Sequence, residues 1–284
     1  MALDVAYPGR EGAHSAAACE QLFADASEPR PLPSFSAVAQ AATAGEVAFG
    51  VLPIESSLSG PVAETHDLLY DSPLAISRET ILPIHHCLVG LAPIALEEVR
   101  IVRSHPAALD QCRLLLASLP DATAIAEGTT ADAAAHVAQA GDPAQVAIAS
   151  ERAARLYGLT VIADNIGDHP EAFTRFVAVT THIRLDTNGK TWRTAFSFVT
   201  DHRPGALQRA IEPFARHGLD LNQLVSRPIP QTPWRYRFDA VLTGHPLDRD
   251  VAGALAEARS QTRRLSVFGS YPAYDGAGEL LSPA

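Results

Sequence analysis

The order of strand-like and helix-like segments changes once along the chain, and this change limits the possible folds more than any other feature. Over the first 180 residues the two kinds alternate, beginning with a strand-like run at 3–7 and a helical pattern at 12–23. Such alternation predicts an α/β fold with mostly parallel sheets covered by helices. From residue 194 onward the order is strand, helix, strand, strand, helix, strand within roughly 75 residues, which is a ferredoxin-like βαββαβ module.

Each segment has a predicted range, set by apolar periodicity and by the positions of proline and glycine. In the first region we predict further helices at 37–44, 62–69, 106–118 and 129–140, strands at 47–53, 100–103, 122–126 and 145–149, and an extended stretch at 74–89. In the second region we predict strands at 194–200, 219–227, 234–243 and 264–268, and helices at 205–217 and 247–260.

The change of order also predicts two domains, as does a length of 284 residues. A polar stretch with an Asn188-Gly189 step, which favours a turn, separates the two patterns. We therefore expect a first domain at 1–182, a linker at 183–192, a second domain at 193–272 and a tail at 273–284.

The composition excludes several kinds of partner. A formal net charge of −10 is unsuited to nucleic acid or to an anionic membrane surface, because both favour a basic face. The chain has neither a run of transmembrane length nor the basic-then-apolar start of a signal peptide. Its three cysteines are an odd number without CxxC spacing, which is typical of buried thiols in a reducing compartment. We therefore expect a cytoplasmic protein that binds neither nucleic acid nor membrane.

The most informative segment is Thr174-Arg175-Phe176, where a loop containing Pro, Gly and Asn gives way abruptly to an apolar run. Polar residues at the mouth of a strand are a frequent location for chemistry in α/β folds. The local pattern alone favours a structural alternative, in which Thr174 caps a turn and Arg175 forms an ion pair at the surface.

Two further turns offer small polar residues where a strand gives way to a helix. One contains Glu55, Ser56 and Ser57, and the other contains Thr129 and Thr130. Hydroxyls and free backbone N–H groups at a helix start form an anion site without net charge, which suits an acidic protein that must hold a carboxylate. Ordinary helix capping explains either turn when it is taken alone.

No pattern indicates a metal or a cofactor. His85 and His86 are neighbours, so in an extended segment they point to opposite faces and cannot easily share one ion. The sequence contains no HExxH or carboxylate-rich metal spacing, no glycine-rich phosphate loop and no nucleophile elbow. We predict no metal site and no cofactor.

Taken together, these segments resemble the prephenate dehydratase family over the range from Val5 to about Pro272. The resemblance rests on nine motifs that occur in the family's order at sensible spacing. They are Gly9 to Ser15, Val51 to Gly60, His85 to Leu88, Ser104 to Cys112, Ala147 to Ala154, Thr174 to Phe176, Arg203 to Leu207, Ser226 to Pro228 and Gly269 to Pro272. The last three resemble the ACT regulatory domain that the family carries after its catalytic domain.

The resemblance implies a two-lobed catalytic domain like the type II periplasmic binding proteins, with the active site between the lobes, followed by a βαββαβ ACT domain. It implies that the chain dehydrates and decarboxylates prephenate to phenylpyruvate in phenylalanine biosynthesis, without a cofactor. It also implies a homodimer or homotetramer formed through the ACT domains, with phenylalanine as a possible effector.

The matched motifs also imply which residues form the sites. Thr174 is the implied catalytic residue. The implied substrate-binding residues are Arg175, Phe176, Ser56, Ser57, Glu55, Ser15, Thr129 and Thr130, and the implied effector-binding residues are Gly205, Ala206, Leu207, Asp220, Ser226 and Arg227.

Four positions depart from the family pattern. Ser56 stands where the family has Asn, and His14 where Phe or Tyr is common. These departures keep a second activity open, arogenate dehydratase, whose substrate has an amino group in place of the side-chain keto group. Val225 replaces a Glu and Asp220 an Asn of the ACT domain, so we expect altered phenylalanine binding. A non-catalytic amino-acid sensor is a third alternative, against which the retained Thr174 triplet weighs.

Overall fold

The first of two lobes is built on a mixed β-sheet that the chain enters twice. The computed structural model describes residues 3–24, 29–182, 191–229 and 232–274. Strand order in this sheet is β2-β1-β3-β11-β5, with the short β4 paired to β3. Numbered in chain order, its elements are β1 (Val5–Pro8), α1 (His14–Leu22), β2 (Arg30–Leu32), α2 (Phe35–Ala44), β3 (Phe49–Ser56), β4 (Gly60–Pro61), α3 (Ala63–Asp71), β5 (Ala75–Pro83) and β11 (Phe173–Thr180).

The second lobe lies between the two passages through the first. Its sheet has the order β10-β6-β9-β7-β8. Its elements are β6 (Cys87–Gly90), β7 (Ile101–Ser104), α4 (Pro106–Asp110), α5 (Arg113–Ala117), β8 (Thr123–Ala126), α6 (Thr130–Ala140), β9 (Gln145–Ala149), α7 (Glu151–Leu156) and β10 (Thr160–Ala163), with a 3-10 turn at Leu96–Glu98.

The chain therefore crosses between the lobes at 84–86 and again at 164–172. This is the predicted two-lobed arrangement of the type II periplasmic-binding-protein kind. The prediction of mostly parallel sheets is wrong, because each five-strand order contains two parallel and two antiparallel pairs. The antiparallel pairs are those of β11, the strand that returns to the first lobe, and of β6, the strand that enters the second.

Two predicted elements are divided in the structure. The extended stretch 74–89 spans β5 and β6, which belong to different sheets. The helix predicted at 106–118 is broken between α4 and α5. Asp168, on the returning crossing, accepts hydrogen bonds from the backbone N–H groups of Arg113 at 2.9 Å and Leu114 at 3.1 Å. A carboxylate that is distant in sequence thus caps a second helix start that local periodicity does not show.

A four-stranded antiparallel sheet forms the C-terminal domain, in the order β13-β14-β12-β15. Its two helices pack on one face around a core of Phe196, Phe198 and Phe214. The predicted βαββαβ order is confirmed. Its elements are β12 (Trp192–Val199), α8 (Ala206–Arg216), β13 (Leu221–Pro228), β14 (Tyr236–Thr243), α9 (Arg249–Ser260) and β15 (Arg264–Pro272). Most of the predicted linker and tail lies outside the described residues.

The C-terminal domain packs directly on the edge strand β5 of the first lobe. A Cβ atom at Gly269, whose φ is +138°, would lie 2.2 Å from the carbonyl oxygen of Ile76 and 2.8 Å from its nitrogen. Beside this contact, the fully buried Glu79 pairs with Arg193 at 2.5 Å. The close backbone approach and the buried ion pair fix the position of this domain on the first lobe. Within the described residues, no helix has the length and apolar character needed to cross a membrane.

We expect Gly269→Ala to destabilise the protein by about 3 kcal/mol or more, because the new Cβ meets immobile backbone in a conformation that Ala avoids. The matched control is Gly218→Ala, since Gly218 also has a positive φ, of +68°, but an added Cβ there meets no atom within 4 Å. That control should cost only about 1 kcal/mol. Denaturant unfolding measures both, and equal losses would contradict a close approach of β15 to Ile76.

Candidate active site

A cavity of about 440 Å³ lies between the two lobes and is lined from both. The carboxyl ends of β1, β3, β7 and β8 open onto it, as expected for a ligand site in an α/β fold. Six of the predicted catalytic and substrate-binding residues line this cavity: Ser15, Ser56, Thr129, Thr130, Thr174 and Phe176.

Thr174 reaches the cavity because of its place at the start of β11. This strand lies between two others, and Thr174 stands opposite Ser56 of β3 and Leu82 of β5. The β3–β11 register shifts between Arg175 and Phe176, which leaves an extra residue on β3 and forms a bulge. Bulges bend a strand locally and are frequent beside active sites. Here the bulge directly follows the residue that faces the cleft.

Arg175 does not line the cavity, and its predicted contact with the substrate stays a prediction. Because side chains alternate along a strand, Arg175 lies on the opposite face from Thr174. Its guanidinium is 3.2 Å from the carboxylate of Glu55 and 3.8 Å from that of Glu79. Glu55 also accepts a hydrogen bond from Gln223 of the C-terminal domain at 2.9 Å. Arg175 and Glu55 therefore take part in the contact between the domains.

The turn after β3 is a hairpin and not a helix start. The hydroxyl of Ser56 accepts hydrogen bonds from the N–H groups of Leu58 and Ser59, at 3.3 and 3.2 Å. Ser57 exchanges two 2.9 Å hydrogen bonds with the backbone of Phe173 and does not line the cavity. The predicted helix start at Ser56-Ser57 is therefore wrong, and Ser57 bonds the segment that carries Thr174.

Thr129 and Thr130 do lie at a helix start, as predicted. Thr129 caps α6, because its hydroxyl accepts the N–H of Asp132 at 3.0 Å. That hydroxyl also donates to the Asp132 carboxylate at 2.7 Å, and Arg10 pairs with the same carboxylate at 2.6 Å. Thr129 therefore both caps α6 and lines the cavity between the lobes.

The cavity contains no formal charge at neutral pH. Among the described residues that line it, none is Lys, Arg, Asp or Glu. Instead the first residues of several helices meet there. A helix start carries roughly half a positive charge and unpaired N–H groups. The helices that begin at the cavity wall with eight or more residues are α1, α2, α3 and α6.

The cavity is also lined by three histidines that the sequence analysis did not place in the site: His14, His86 and His105. Burial lowers the pKa of each, so all three are neutral near pH 7. His86 bonds Gln111 of the second lobe, with its Nε2 2.7 Å from the amide oxygen. Each of these histidines lies in one of the matched motifs, which is the sequence feature that could have identified it as a site residue. In the described residues, no group of three His, Cys, Asp or Glu side chains could hold a metal ion.

The six predicted effector residues do not meet in one cavity of this chain. Gly205 begins α8 with a φ of +76°, and Ala206 and Leu207 line a shallow pocket with residues 200–204. Asp220 accepts a hydrogen bond from the side chain of Asn222 at 2.9 Å. Arg227 is turned toward the first lobe, where its guanidinium lies 2.7 Å from Asp67 of α3. Ser226 is exposed on the sheet edge.

Arg175→Gln should lower the stability of the protein more than it affects substrate binding. Burial raises the pKa of Glu79, while Arg193 and Arg175 lower it, so losing one cation leaves a buried carboxylate less compensated. We expect a loss of about 2 kcal/mol in denaturant unfolding. The control is Arg155→Gln, since Arg155 forms an exposed pair with Glu151 that is worth about 0.5 kcal/mol at most. A large rise in KM with unchanged stability would restore Arg175 to the substrate site.

Comparison with known proteins agrees with this geometry. Residues 5–184 match the family model for prephenate dehydratase. The chain is 34% identical to a bifunctional chorismate mutase/prephenate dehydratase of Stutzerimonas stutzeri, over 95% of this chain and 73% of that one. It is 36% identical to arogenate dehydratase/prephenate dehydratase 1 of Arabidopsis thaliana, over 81% of this chain and 58% of that one.

Two solved structures share the whole fold. One is a prephenate dehydratase from Arthrobacter aurescens in complex with L-phenylalanine, with 30% identity, a TM-score of 0.87 and coverage of 99% of this chain and 93% of that one. The other is described as a novel type of quorum-quenching acylase, with 31% identity, a TM-score of 0.84 and coverage of 95% and 97%. With a family model that matches well over half of its length, this chain belongs to the prephenate dehydratase family.

Proposed function

We propose that the chain converts prephenate to phenylpyruvate, with loss of carbon dioxide and of the ring hydroxyl as water after proton transfer. The observation that carries this proposal is Thr174, a hydroxyl at the wall of an interlobe cavity that holds no charged side chain among the described residues. The reaction needs no redox step, because forming the aromatic ring drives it. The protein must supply a binding site for a dianionic substrate and stabilise the negative charge that develops on the departing oxygen.

Thr174 is suited to help the departing oxygen. A single donor that is already aimed at developing negative charge contributes about 3–4 kcal/mol to the transition state. A threonine hydroxyl is too weak an acid to transfer its proton fully at neutral pH, so full protonation of the leaving oxygen requires a relay. Thr174 therefore acts as a hydrogen-bond donor to the oxygen while the C–O bond breaks.

The helix starts are suited to hold the two carboxylates of prephenate. The N–H groups and hydroxyls of Ser15 on α1 and of Thr130 on α6 line the cavity, one set from each lobe, and the Thr129 hydroxyl is committed to Asp132. Such donors bind anions without the long flexible side chain of a lysine. With such donors, a protein with a net charge of −10 can bind a dianion.

The same arrangement favours prephenate over arogenate. The amino group of arogenate is a cation, and the described wall of the cavity offers no carboxylate to pair with it. The helix starts would repel it as well, since they carry partial positive charge. The keto oxygen of prephenate, an acceptor only, suits the same donors.

An acylase reaction is the second activity suggested by a similar structure. Acyl transfer by a serine or threonine requires a neighbouring base to accept the hydroxyl proton. Among the described residues of the cavity, no serine or threonine hydroxyl is hydrogen-bonded to a histidine: His86 contacts Gln111, and His105 accepts the N–H of Ala107 at 3.2 Å. The cleft therefore supports dehydration better than acyl transfer.

Thr174→Ala should lower kcat for prephenate by about 100- to 1000-fold, which is the usual effect of removing one transition-state donor. Thr174→Ser is the matched control, because it keeps the hydroxyl, and it should retain activity within about tenfold. The measurement follows the absorbance of phenylpyruvate in alkali. Failure of the unaltered chain to turn over prephenate would refute the proposed function, and full activity of the alanine variant would refute the role of Thr174.

Prephenate should be preferred to arogenate in kcat/KM by at least about tenfold, equivalent to about 1.4 kcal/mol. Parallel assays of phenylpyruvate formed from prephenate and phenylalanine formed from arogenate measure the ratio. A ratio near one, or one that favours arogenate, would show that an acceptor in the cleft compensates the amino group.

For the rest of the chain we propose a catalytic domain at 1–182 and an ACT domain at 193–272 that responds to phenylalanine. A similar protein binds L-phenylalanine, which supports this class of effector. Because the predicted effector residues do not meet within one chain, we propose that a second copy completes the site. The sheet edge at β13, which pairs only with β14 among the described strands, is a suitable surface for a dimer or tetramer. Three buried, unpaired cysteines support a cytoplasmic location.

Phenylalanine inhibition should be weaker than that of a relative that has Glu and Asn at the positions of Val225 and Asp220. Asp220 would place a negative charge near the carboxylate of the effector. Val225 lies on the β13 face that carries Gln223 and Arg227, both in contact with the first lobe. A Val in place of the family's Glu removes a negative charge from this face and so alters the domain contact. Titrating phenylalanine against turnover, with light scattering for the oligomeric state, tests this. Tight inhibition at micromolar phenylalanine would show that neither residue matters.

A further inference from the structure

His14 is the first residue of α1, and its ring forms part of the cavity wall. Its Nε2 atom is buried and has no hydrogen-bond partner within the described residues. A buried polar atom without a partner destabilises the folded protein unless a ligand or water satisfies it. At the wall of a ligand cavity, such an atom indicates a contact that the substrate completes.

The ring of His14 is held in place by a second histidine. The centroids of His14 and His86 are 6.5 Å apart, with the ring planes at 76°, an edge-to-face contact. Because the Nε2 of His86 donates to the Gln111 oxygen, its Nδ1 carries no proton and faces a buried region without a partner. His86 thus packs against His14 and, although it also lines the cavity, has no free N–H to offer an anion there.

His14 is also kept neutral. Burial, and then the neighbouring His86 and His85, lower its pKa to about 4. The partial positive charge at the start of α1 acts in the same direction. Arg10 on its loop and Asp132 on α6 are paired with each other at 2.6 Å. A neutral imidazole at a helix start can still donate a hydrogen bond, as it does in other enzymes.

We propose that His14 is a substrate-binding residue whose Nε2–H holds the side-chain carboxylate of prephenate, together with the hydroxyl and N–H of Ser15. This inference rests on the proposed function and adds a specific contact to it. Of the two carboxylates, the one on the ring is lost as carbon dioxide. A tight site for that group would stabilise the substrate more than the transition state and slow the reaction. The strongest donors should therefore hold the carboxylate that remains in the product.

The test compares His14→Phe with His14→Gln in the full chain. His14→Phe removes the donor, so the KM for prephenate and the inhibition constant for phenylpyruvate should rise together, by about tenfold, with kcat within about threefold. His14→Gln keeps an N–H donor and should recover part of the lost affinity. A loss of kcat without a change in KM would overturn the assignment, and so would an unchanged inhibition constant for phenylpyruvate.

Two further measurements separate binding from folding and from acid catalysis. His14→Phe should not lower the thermal unfolding midpoint, because it removes a buried polar atom that has no partner. The ratio of kcat/KM between the unaltered chain and His14→Phe should stay constant from about pH 6 to about pH 8, because His14 is neutral throughout. A ratio that grows tenfold for each unit of falling pH would show that the imidazolium is the active form. If the unaltered chain turns over prephenate while His14→Phe matches it, only this inference fails.

Discussion

The pairing of β11 with both β3 and β5 is the interaction on which the rest of the structure depends. The strand enters the first lobe after the second lobe is complete, and its residues 177–179 are fully buried there. Its pairing therefore completes the core of the first lobe and ends the second crossing between the lobes. It also fixes the position of Thr174 at the cleft. Because side chains alternate along it, Thr174 faces the substrate cavity while Arg175 faces the C-terminal domain. One strand thus joins chemistry to domain contact through consecutive residues.

The cavity and the domain contact use charge differently. The cavity wall has no formal charge in its described part and relies on helix starts, whose N–H groups are fixed by the backbone. A buried cation lies at the domain contact, where Arg237 is held by Asp67 at 2.7 Å and by Asp239 at 3.1 Å. Buried ion pairs of this kind add little net stability but penalise any other arrangement. They therefore fix how the domains pack and leave the anion site to the backbone.

Much of the fold could be predicted from sequence, since apolar periodicity reports local structure directly. The strand–helix alternation of the first region, the βαββαβ order of the second and the place of Thr174 at a strand mouth all follow from it, whereas the two lobes were expected from the family resemblance. The contacts of Arg175 have a different origin, because its partners Glu55 and Glu79 lie on strands far away in sequence and register decides which side chains meet. The break before α5 depends likewise on Asp168, which is more than 50 residues away. Long-range pairing, and not local pattern, decided both.

Helix α3 contacts both the cavity and the C-terminal domain. Val62, just before its first residue, lines the cavity, and the hydroxyl of Thr65 donates to the carbonyl of Pro53 at 2.6 Å. One turn later, Asp67 pairs with both Arg227 and Arg237 of the C-terminal domain. Because a helix moves nearly as a rigid body, a shift of either arginine acts on the cavity wall through this one element. The predicted effector motif contains Arg227, so its contact with Asp67 joins that motif to the helix that begins at the cavity wall.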